Sequence, residues 1–206
     1  MLWSWVGELF PVKASVTDPT RFVMERTLTA PLGCLTFGVH LNGYVRTKQG
    51  IELWVAKRAH NKPTFPGKLD NIVAGGQPAG LSLFENLMKE CFEEAGISKT
   101  QAKESVATGT ISYWHTDGRG LKRDLLYCYD LELPETFQPV AADGEVGEFM
   151  LWPIEKVAEV VRDTFEFKFN CNLVIIDFLI RHGVLDPDTE PDYAAICLGL
   201  RRSGVV

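Results

Sequence analysis

Residues 75–97 constrain the fold of this chain most, because they predict one helix with both of its ends marked. Ser82 is a good N-cap residue, and Glu85 three positions later completes the capping-box pattern. Gly96 stands where a left-handed glycine commonly ends a helix. The pattern therefore predicts a helix from about Leu81 to Ala95. Its apolar stripe, which buries the helix, comprises Leu83, Leu87, Met88, Cys91 and Ala95.

Three acidic residues of this helix share one face. Glu90, Glu93 and Glu94 stand at positions i, i+3 and i+4. Like charges this close repel, so the arrangement favours a divalent cation between them, and oxygen ligands suit Mg²⁺ or Mn²⁺. The alternative is a solvated acidic helix face, which is common in soluble proteins.

Charge and cysteine content exclude several classes of protein. The net charge of −6 over 206 residues argues against a general nucleic-acid binder, which needs an excess of clustered Lys and Arg. No apolar run approaches the roughly 20 residues that span a bilayer, so no membrane partner is predicted. The five cysteines are odd in number and form no CxxC pair, which favours reduced thiols and a cytoplasmic protein.

The rest of the chain predicts an α+β protein with a mixed β-sheet sandwiched between helices. Residues 1–31 form a short N-terminal extension with a weak helix near Asp18–Thr29, and residues 32–206 form the main domain. A hairpin is expected around the turn at residues 117–120. Further helices are predicted at Pro153–Arg162 and Asn170–His182. The predicted strands are Leu35–Tyr44, Ile51–Arg58, Leu69–Val73, Gly109–His115, Leu121–Leu133 and Phe149–Trp152.

Residues 75–97 resemble the Nudix box, the signature of the Nudix hydrolases. Gly75 takes the first glycine, Lys89 the arginine, and Glu90 the glutamate after it. Glu93 and Glu94 take the glutamate pair, and Gly96 and Ile97 close the motif. The resemblance implies the Nudix fold and Mg²⁺ as the cofactor, with Mn²⁺ as a substitute. It also implies catalysis by the three glutamates, and it assigns metal binding to Gly75, Glu90, Glu93 and Glu94.

Two positions depart from the box. Leu81 stands where the first glutamate is usual, which removes a helper carboxylate. Lys89 replaces an arginine and cannot make the bidentate pairing of a guanidinium with a carboxylate. In this fold a further catalytic acid usually comes from a loop outside the box. Glu145 and Glu148 are the candidates, and Glu145 is assigned the catalytic role.

Four further segments resemble one Nudix subgroup. Residues 38–44, 53–58, 65–71 and 186–193 are similar to the Nudix domain fused to fungal thiamine pyrophosphokinase and to stand-alone fungal and plant relatives. This implies hydrolysis of thiamine diphosphate, or of oxothiamine and oxythiamine diphosphate, to the monophosphate and phosphate. Candidate substrate residues are cations for the phosphates, rings for stacking and polar groups in apolar strands. They are His40, Asn42, Tyr44, Lys57, Arg58, Lys68, Asp70, Trp114 and Arg123.

Other activities compete with this interpretation. Isopentenyl-diphosphate isomerase shares the fold but needs a cysteine and histidines after the loop, and residues 71–76 contain neither. An ADP-ribose or nucleotide-sugar pyrophosphatase would share the box, since loops determine its specificity. A non-catalytic binding module with a decayed box is the third alternative, and Leu81 is its first sign. The expected partner is a small diphosphate, and a homodimer is left open.

Overall fold

The computed structural model describes residues 5–142 and 144–201. The start of the predicted N-terminal extension, residues 1–4, and the end of the predicted main domain, residues 202–206, lie outside the described residues. A single 3₁₀ turn covers Arg26–Leu28. The helices are α1 (Leu83–Ala95), α2 (Lys99–Ala102), α3 (Ile154–Asp163), α4 (Phe169–Arg181) and α5 (Tyr193–Gly199). The strands are β1 (Leu9–Val12), β2 (Phe22–Glu25), β3 (Leu35–Thr47), β4 (Gly50–Arg58), β5 (Leu69–Asn71), β6 (Val73–Gly76), β7 (Val106–Asp117), β8 (Gly120–Glu132) and β9 (Val146–Pro153).

Seven of these strands form one mixed sheet around β3. The order is β5-β4-β3-β8-β7, with β6 also paired to β3 and β9 to β4. The β3–β8 pair is parallel, whereas the other pairs are antiparallel. The predicted hairpin at residues 117–120 is confirmed, since Asp117 pairs with Gly120 at the turn between β7 and β8.

Helices cover both faces of this sheet. Side chains alternate between the two faces along a strand, so Val39 and Leu41 of β3 point to one side and Tyr44 to the other. Val39 and Leu41 pack with Leu87 and Cys91 of α1. Tyr44 packs with residues of α3 and α4 in a second cluster. The predicted mixed sheet between helices is confirmed, with α1 and α2 on one face and α3 and α4 on the other.

The helix α1 follows the sequence prediction closely. Ser82 is its N-cap, and both capping-box hydrogen bonds with Glu85 are present. Gly96 adopts a left-handed φ of 65° and its N–H bonds to the last turn. The helix begins at Leu83 rather than at the predicted Leu81, because the cap residue itself lies outside the helix. The predicted apolar stripe is confirmed as the surface that packs on the sheet.

The predicted helix near Asp18–Thr29 is wrong. Residues Phe22–Glu25 form β2, which pairs with β1 in a separate two-stranded sheet. Pairing with a strand about 13 residues earlier satisfies the backbone N–H and C=O groups of Phe22–Glu25. A local sequence pattern does not reveal such a pairing. The hairpin is anchored by Phe10, which is buried where a Cβ on Gly76 would come within 2.5 Å of its ring.

Several other elements differ from the predictions, and the strand β1 and the helix α2 were not predicted. The single strand expected at Leu69–Val73 is two short strands, and the second extends through the glycine pair at 75–76 to bond with β3. The helix α5 was not predicted. Within the ranges the structure describes, no helix is both long and apolar enough to cross a membrane.

Candidate active site

Two of the predicted glutamates of α1, Glu94 and Glu90, pack against consecutive residues of strand β6. Glu94 is only 8% exposed, and its Oε2 accepts a hydrogen bond of 2.7 Å from the Ala74 N–H. Glu90 lies over the next residue, because a Cβ on Gly75 would be 2.4 Å from the Glu90 Cδ. Only glycine leaves room for this carboxylate, which gives the first glycine of the motif a steric role here.

The carboxylates of Glu90 and Glu94 have perturbed acidities. Burial raises the pKa of Glu94 well above its ordinary value, and the Ala74 amide opposes this. The negative charges of Asp70, Glu90 and Glu145 raise the pKa of Glu94 further. Burial likewise raises the pKa of Glu90, and the Lys89 charge opposes it. Negative charges that raise each other's pKa at a buried site are stabilised by a cation, so the donor set fits a divalent metal.

The third glutamate has a different environment. Glu93 is partly exposed and accepts a 2.7 Å hydrogen bond from Lys89, whose Nζ also lies 3.2 Å from the Glu90 carboxylate. Lys89 therefore balances charge between the two glutamates, although it replaces an arginine. The metal-binding role of Glu93 stays a prediction.

A small cavity opens beside Glu94, between α1 and the ends of β4 and β9. Glu145, the predicted catalytic acid, lines it together with Glu94. The Glu145 carboxylate forms an ion pair with Lys62. The other candidate acid, Glu148, is exposed on β9 and is not among the lining residues. The cavity is lined by Ala56, Arg58, Asp70, Asn71, Glu94, Glu145 and Val146.

Arg58 and Asp70 line the same cavity and form an ion pair with each other. The Arg58 Nη1 donates to Asp70 at 2.8 Å, and its other nitrogens donate to the carbonyls of Thr64 and Phe65. Phe65 has a φ of 51°, which is rare for a residue with a side chain, and the Arg58 bonds hold it there. These two residues thus fix the loop between β4 and β5. Their proposed contacts with substrate stay predictions.

Lys168, which sequence reasoning missed, is the second cation on Asp70. Its Nζ lies 3.6 Å from the Asp70 carboxylate, and Cys171 Sγ donates to the same group. Although burial alone would lower the pKa of Lys168, the Asp70 charge raises it above its ordinary value. One lysine between the aromatic residues at 167 and 169 gives no sequence signal of this role.

Three ligand atoms of His40, Asp70 and Cys171 lie within 4.8 Å of one another, and these are a candidate metal-ligand set. Arg58 and Lys168 already neutralise Asp70, however, and a divalent cation would have to displace them. In the described part of the chain, the oxygens of Glu90, Glu93 and Glu94 are not gathered as closely as this set. Metal binding by Glu90 and Glu94 stays a prediction, which rests on their chemistry and on the acidity of the two carboxylates.

The remaining predicted substrate residues are dispersed. On the α4 face, His40 bonds Asn71 at 2.9 Å, and Asn42 donates to Asp130 at 3.0 Å. Tyr44 donates to Glu132 on the same face at 3.2 Å. The others occupy strand ends or loops outside the cavity lining. Lys57 lies near the end of β4, and Lys68 donates to the Phe165 carbonyl. Trp114 of β7 and Arg123 of β8 are partners in the register of these two strands.

The acidity of His40 predicts a pH dependence of stability. Burial, with a contribution from the Lys168 charge, lowers the pKa of His40 from 6.5 to about 4. The unfolded chain therefore binds a proton between these values that the folded protein does not, and stability falls as the pH falls through this window. The difference corresponds to a loss of about 3 kcal/mol at most. Urea unfolding from about pH 7 to pH 4 should show this loss of unfolding free energy in the wild type but not in His40→Gln. If the unfolding free energies of the two proteins fall in parallel with pH, the assignment of the loss to His40 is refuted.

Comparison with known proteins identifies the family. The family model named NUDIX domain matches residues 38–171. The chain belongs to the Nudix family. It is 50% identical over 196 residues to "Nudix hydrolase 24, chloroplastic" of Arabidopsis thaliana, covering 95% of this chain and 53% of that protein. It is 36% identical over 212 residues to "Uncharacterized protein YJR142W" of Saccharomyces cerevisiae, covering 96% of this chain and 61% of that protein. The chain thus spans between half and two thirds of the length of these relatives.

Solved structures confirm the predicted Nudix fold. The DR0079 protein of Deinococcus radiodurans is 18% identical with a TM-score of 0.58, covering 83% of this chain and 99% of that chain. The NUDIX domain of Shewanella oneidensis NrtR, complexed with ADP ribose, is 16% identical with a TM-score of 0.55, covering 70% and 86%. At these identities the likeness concerns the fold alone.

Proposed function

We propose that this Nudix chain hydrolyses the diphosphate linkage of a small molecule in a reaction that depends on Mg²⁺, with Mn²⁺ as a substitute. The observation that carries the proposal is the pair of Glu94, which is buried against Ala74, and Glu90, which is partly buried against Gly75, both with raised pKa values. A solvated acidic helix face would leave both carboxylates in water, which is the alternative this burial argues against.

The residues of the chain have distinct roles in this proposal. Glu90 and Glu94, with Gly75 and Glu93 completing the predicted set, would hold the cation, which would supply positive charge to the diphosphate oxygens. Glu145, which lines the same cavity as Glu94, accepts the proton of the attacking water. The water oxygen then bonds to phosphorus as the bond to the bridging oxygen breaks. Lys62 holds the Glu145 carboxylate through their ion pair.

The substrate we propose is thiamine diphosphate or its oxidised forms, with the monophosphate and phosphate as products. The resemblance of residues 38–44, 53–58 and 65–71 to the fungal and plant thiamine-type group supports it. The plant and fungal origin of the relatives agrees with that group. Lys57, Lys68 and Arg123 are the cations proposed for the phosphates.

The test is steady-state turnover of thiamine, oxothiamine and oxythiamine diphosphates beside ADP-ribose, with Mg²⁺ present. The proposal expects kcat/KM for at least one of the thiamine compounds to exceed that for ADP-ribose by about tenfold or more. A preference for ADP-ribose would retain the hydrolase and discard the thiamine assignment. No turnover of any of the four would favour the binding module with a decayed box.

A further inference from the structure

A second, larger cleft lies on the α1 side of the sheet, outside the cavity that Glu94 and Glu145 share. It has a volume of about 450 Å³, within the range of small-molecule sites. The β1–β2 hairpin forms one wall, and the loop that leads from β6 into α1 forms the other. Its lining includes Lys13, Val23, Phe37, Gln77, Leu81 and Tyr127.

The cleft is continuous with the carboxylate site along one stretch of backbone. Ala74 and Gly75 of β6 contact Glu94 and Glu90, and the chain continues extended to Gln77, whose N–H bonds to Phe37 of β3. Gln77 is two residues beyond Gly75, so it lies about 7 Å away on the same side of the strand. A ligand with its phosphates at Glu90 would therefore direct its other end into the cleft.

The floor of the cleft is aromatic and apolar. Phe37 and Tyr127 lie on neighbouring strands β3 and β8, both on the α1 face of the sheet, and they pack in one cluster. Lys13 lies with its Nζ 5.4 Å from the centre of the Phe37 ring. Leu81 replaces the first glutamate of the Nudix box and contributes an apolar side chain to the wall. A flat ring fits such a surface better than a phosphate does.

Gln77 is a buried polar residue of this lining. It is 6% exposed, and its Nε2 donates to the carbonyls of Leu81 at 2.7 Å and Pro78 at 3.3 Å. These two bonds fix the amide so that Oε1 is the acceptor left over. Among the described residues no group donates to Oε1. Buried acceptors are nearly always paired, so this oxygen suits an N–H donor of a ligand.

We infer that this cleft binds the organic group of the diphosphate substrate, a flat nitrogen heterocycle whose N–H group donates to Gln77. The inference rests on the proposed function. It gives Phe37, Tyr127 and Gln77 the role of determining specificity, and it gives Leu81 a reason to differ from the motif. An exocyclic amine on a pyrimidine or purine ring has the required chemistry.

The test fills the cleft from its exposed wall. Val23 is 45% exposed on β2, so Val23→Trp adds bulk to the cleft without disturbing the core. The matched control is Val106→Trp, at a position 63% exposed on β7 and outside the lining. We expect Val23→Trp to raise KM for thiamine diphosphate by about tenfold or more with kcat nearly unchanged. It should also weaken binding of thiamine monophosphate measured by calorimetry in EDTA, whereas the control matches the wild type in both.

The outcomes distinguish failure of the thiamine assignment from failure of the inference about the cleft. If the wild type hydrolyses ADP-ribose but not thiamine diphosphate, the thiamine assignment falls, and a raised KM of Val23→Trp for ADP-ribose still supports the cleft. If Val23→Trp and Val106→Trp have the same KM on the diphosphate that the wild type hydrolyses, the cleft does not bind the organic group and the inference is overturned. Thermal unfolding of both variants establishes that each is folded.

Discussion

Replacing Glu94 by glutamine is expected to lower kcat by about a hundredfold to a thousandfold, comparable to losing a main electrostatic contact in other enzymes. Glutamine keeps an oxygen that accepts the 2.7 Å hydrogen bond from Ala74, so the junction of β6 and α1 is retained. What the variant loses is the negative charge that the proposed cation needs. Because burial disfavours that charge in the absence of a metal, the metal-free variant should unfold at the same temperature as the wild type or higher.

The measurement is steady-state hydrolysis with Mg²⁺, together with thermal unfolding in EDTA. The matched control is Glu104→Gln, which removes an exposed carboxylate beyond α2 and should leave kcat unchanged. Wild-type turnover by Glu94→Gln would exclude this carboxylate from the reaction. A loss of turnover accompanied by unfolding would show that Glu94 is structural instead.

Replacing Asp70 by asparagine is expected to cost about 3 to 5 kcal/mol of unfolding free energy, the usual result of removing one partner from a buried ion pair. Asp70 is 4% exposed and lies between Arg58 and Lys168. Burial would raise the pKa of Asp70, but the charges of Lys168 and Arg58 outweigh it and lower the pKa below its ordinary value. Asparagine would keep the shape and leave both cations without a counter-charge.

Urea unfolding at neutral pH measures this cost. The control is Asp163→Asn, whose partner Arg162 is exposed and whose ion pair therefore contributes little to stability. If the two variants lose equal stability, the charges around Asp70 are solvated and the network is not buried as described. Because Arg58 also holds the loop at 64–65, Asp70→Asn should lower activity as well.

The helix that carries the carboxylates could be predicted because its signals are local. Ser82, Glu85 and Gly96 act within one turn of the helix ends, and the apolar stripe repeats within α1. The strand β2 could not be predicted, since its pairing with β1 depends on a contact across an intervening loop. The same reason explains why Gly75 and Gly76 were left out of a strand: only their pairing with β3 makes them one.

The site was predicted in its residue types more than in its contacts. Glu90 and Glu94 follow from spacing on one helix face, and the structure places them together against β6. Arg58 and Asp70 were selected as polar residues near a substrate, but a sequence does not show that they bond to each other. Lys168 and Gln77 gave no signal, because burial by other elements, rather than neighbours in sequence, determines what their side chains do.

The most direct test of the account is phosphate release from thiamine diphosphate or ADP-ribose by the purified wild-type chain, measured with Mg²⁺ and again with EDTA. The account predicts hydrolysis of at least one of these diphosphates with Mg²⁺ and its loss in EDTA, restored by added Mg²⁺ or Mn²⁺. Hydrolysis at the same rate in EDTA would contradict it, because Glu90 and Glu94 would then have no cation to hold.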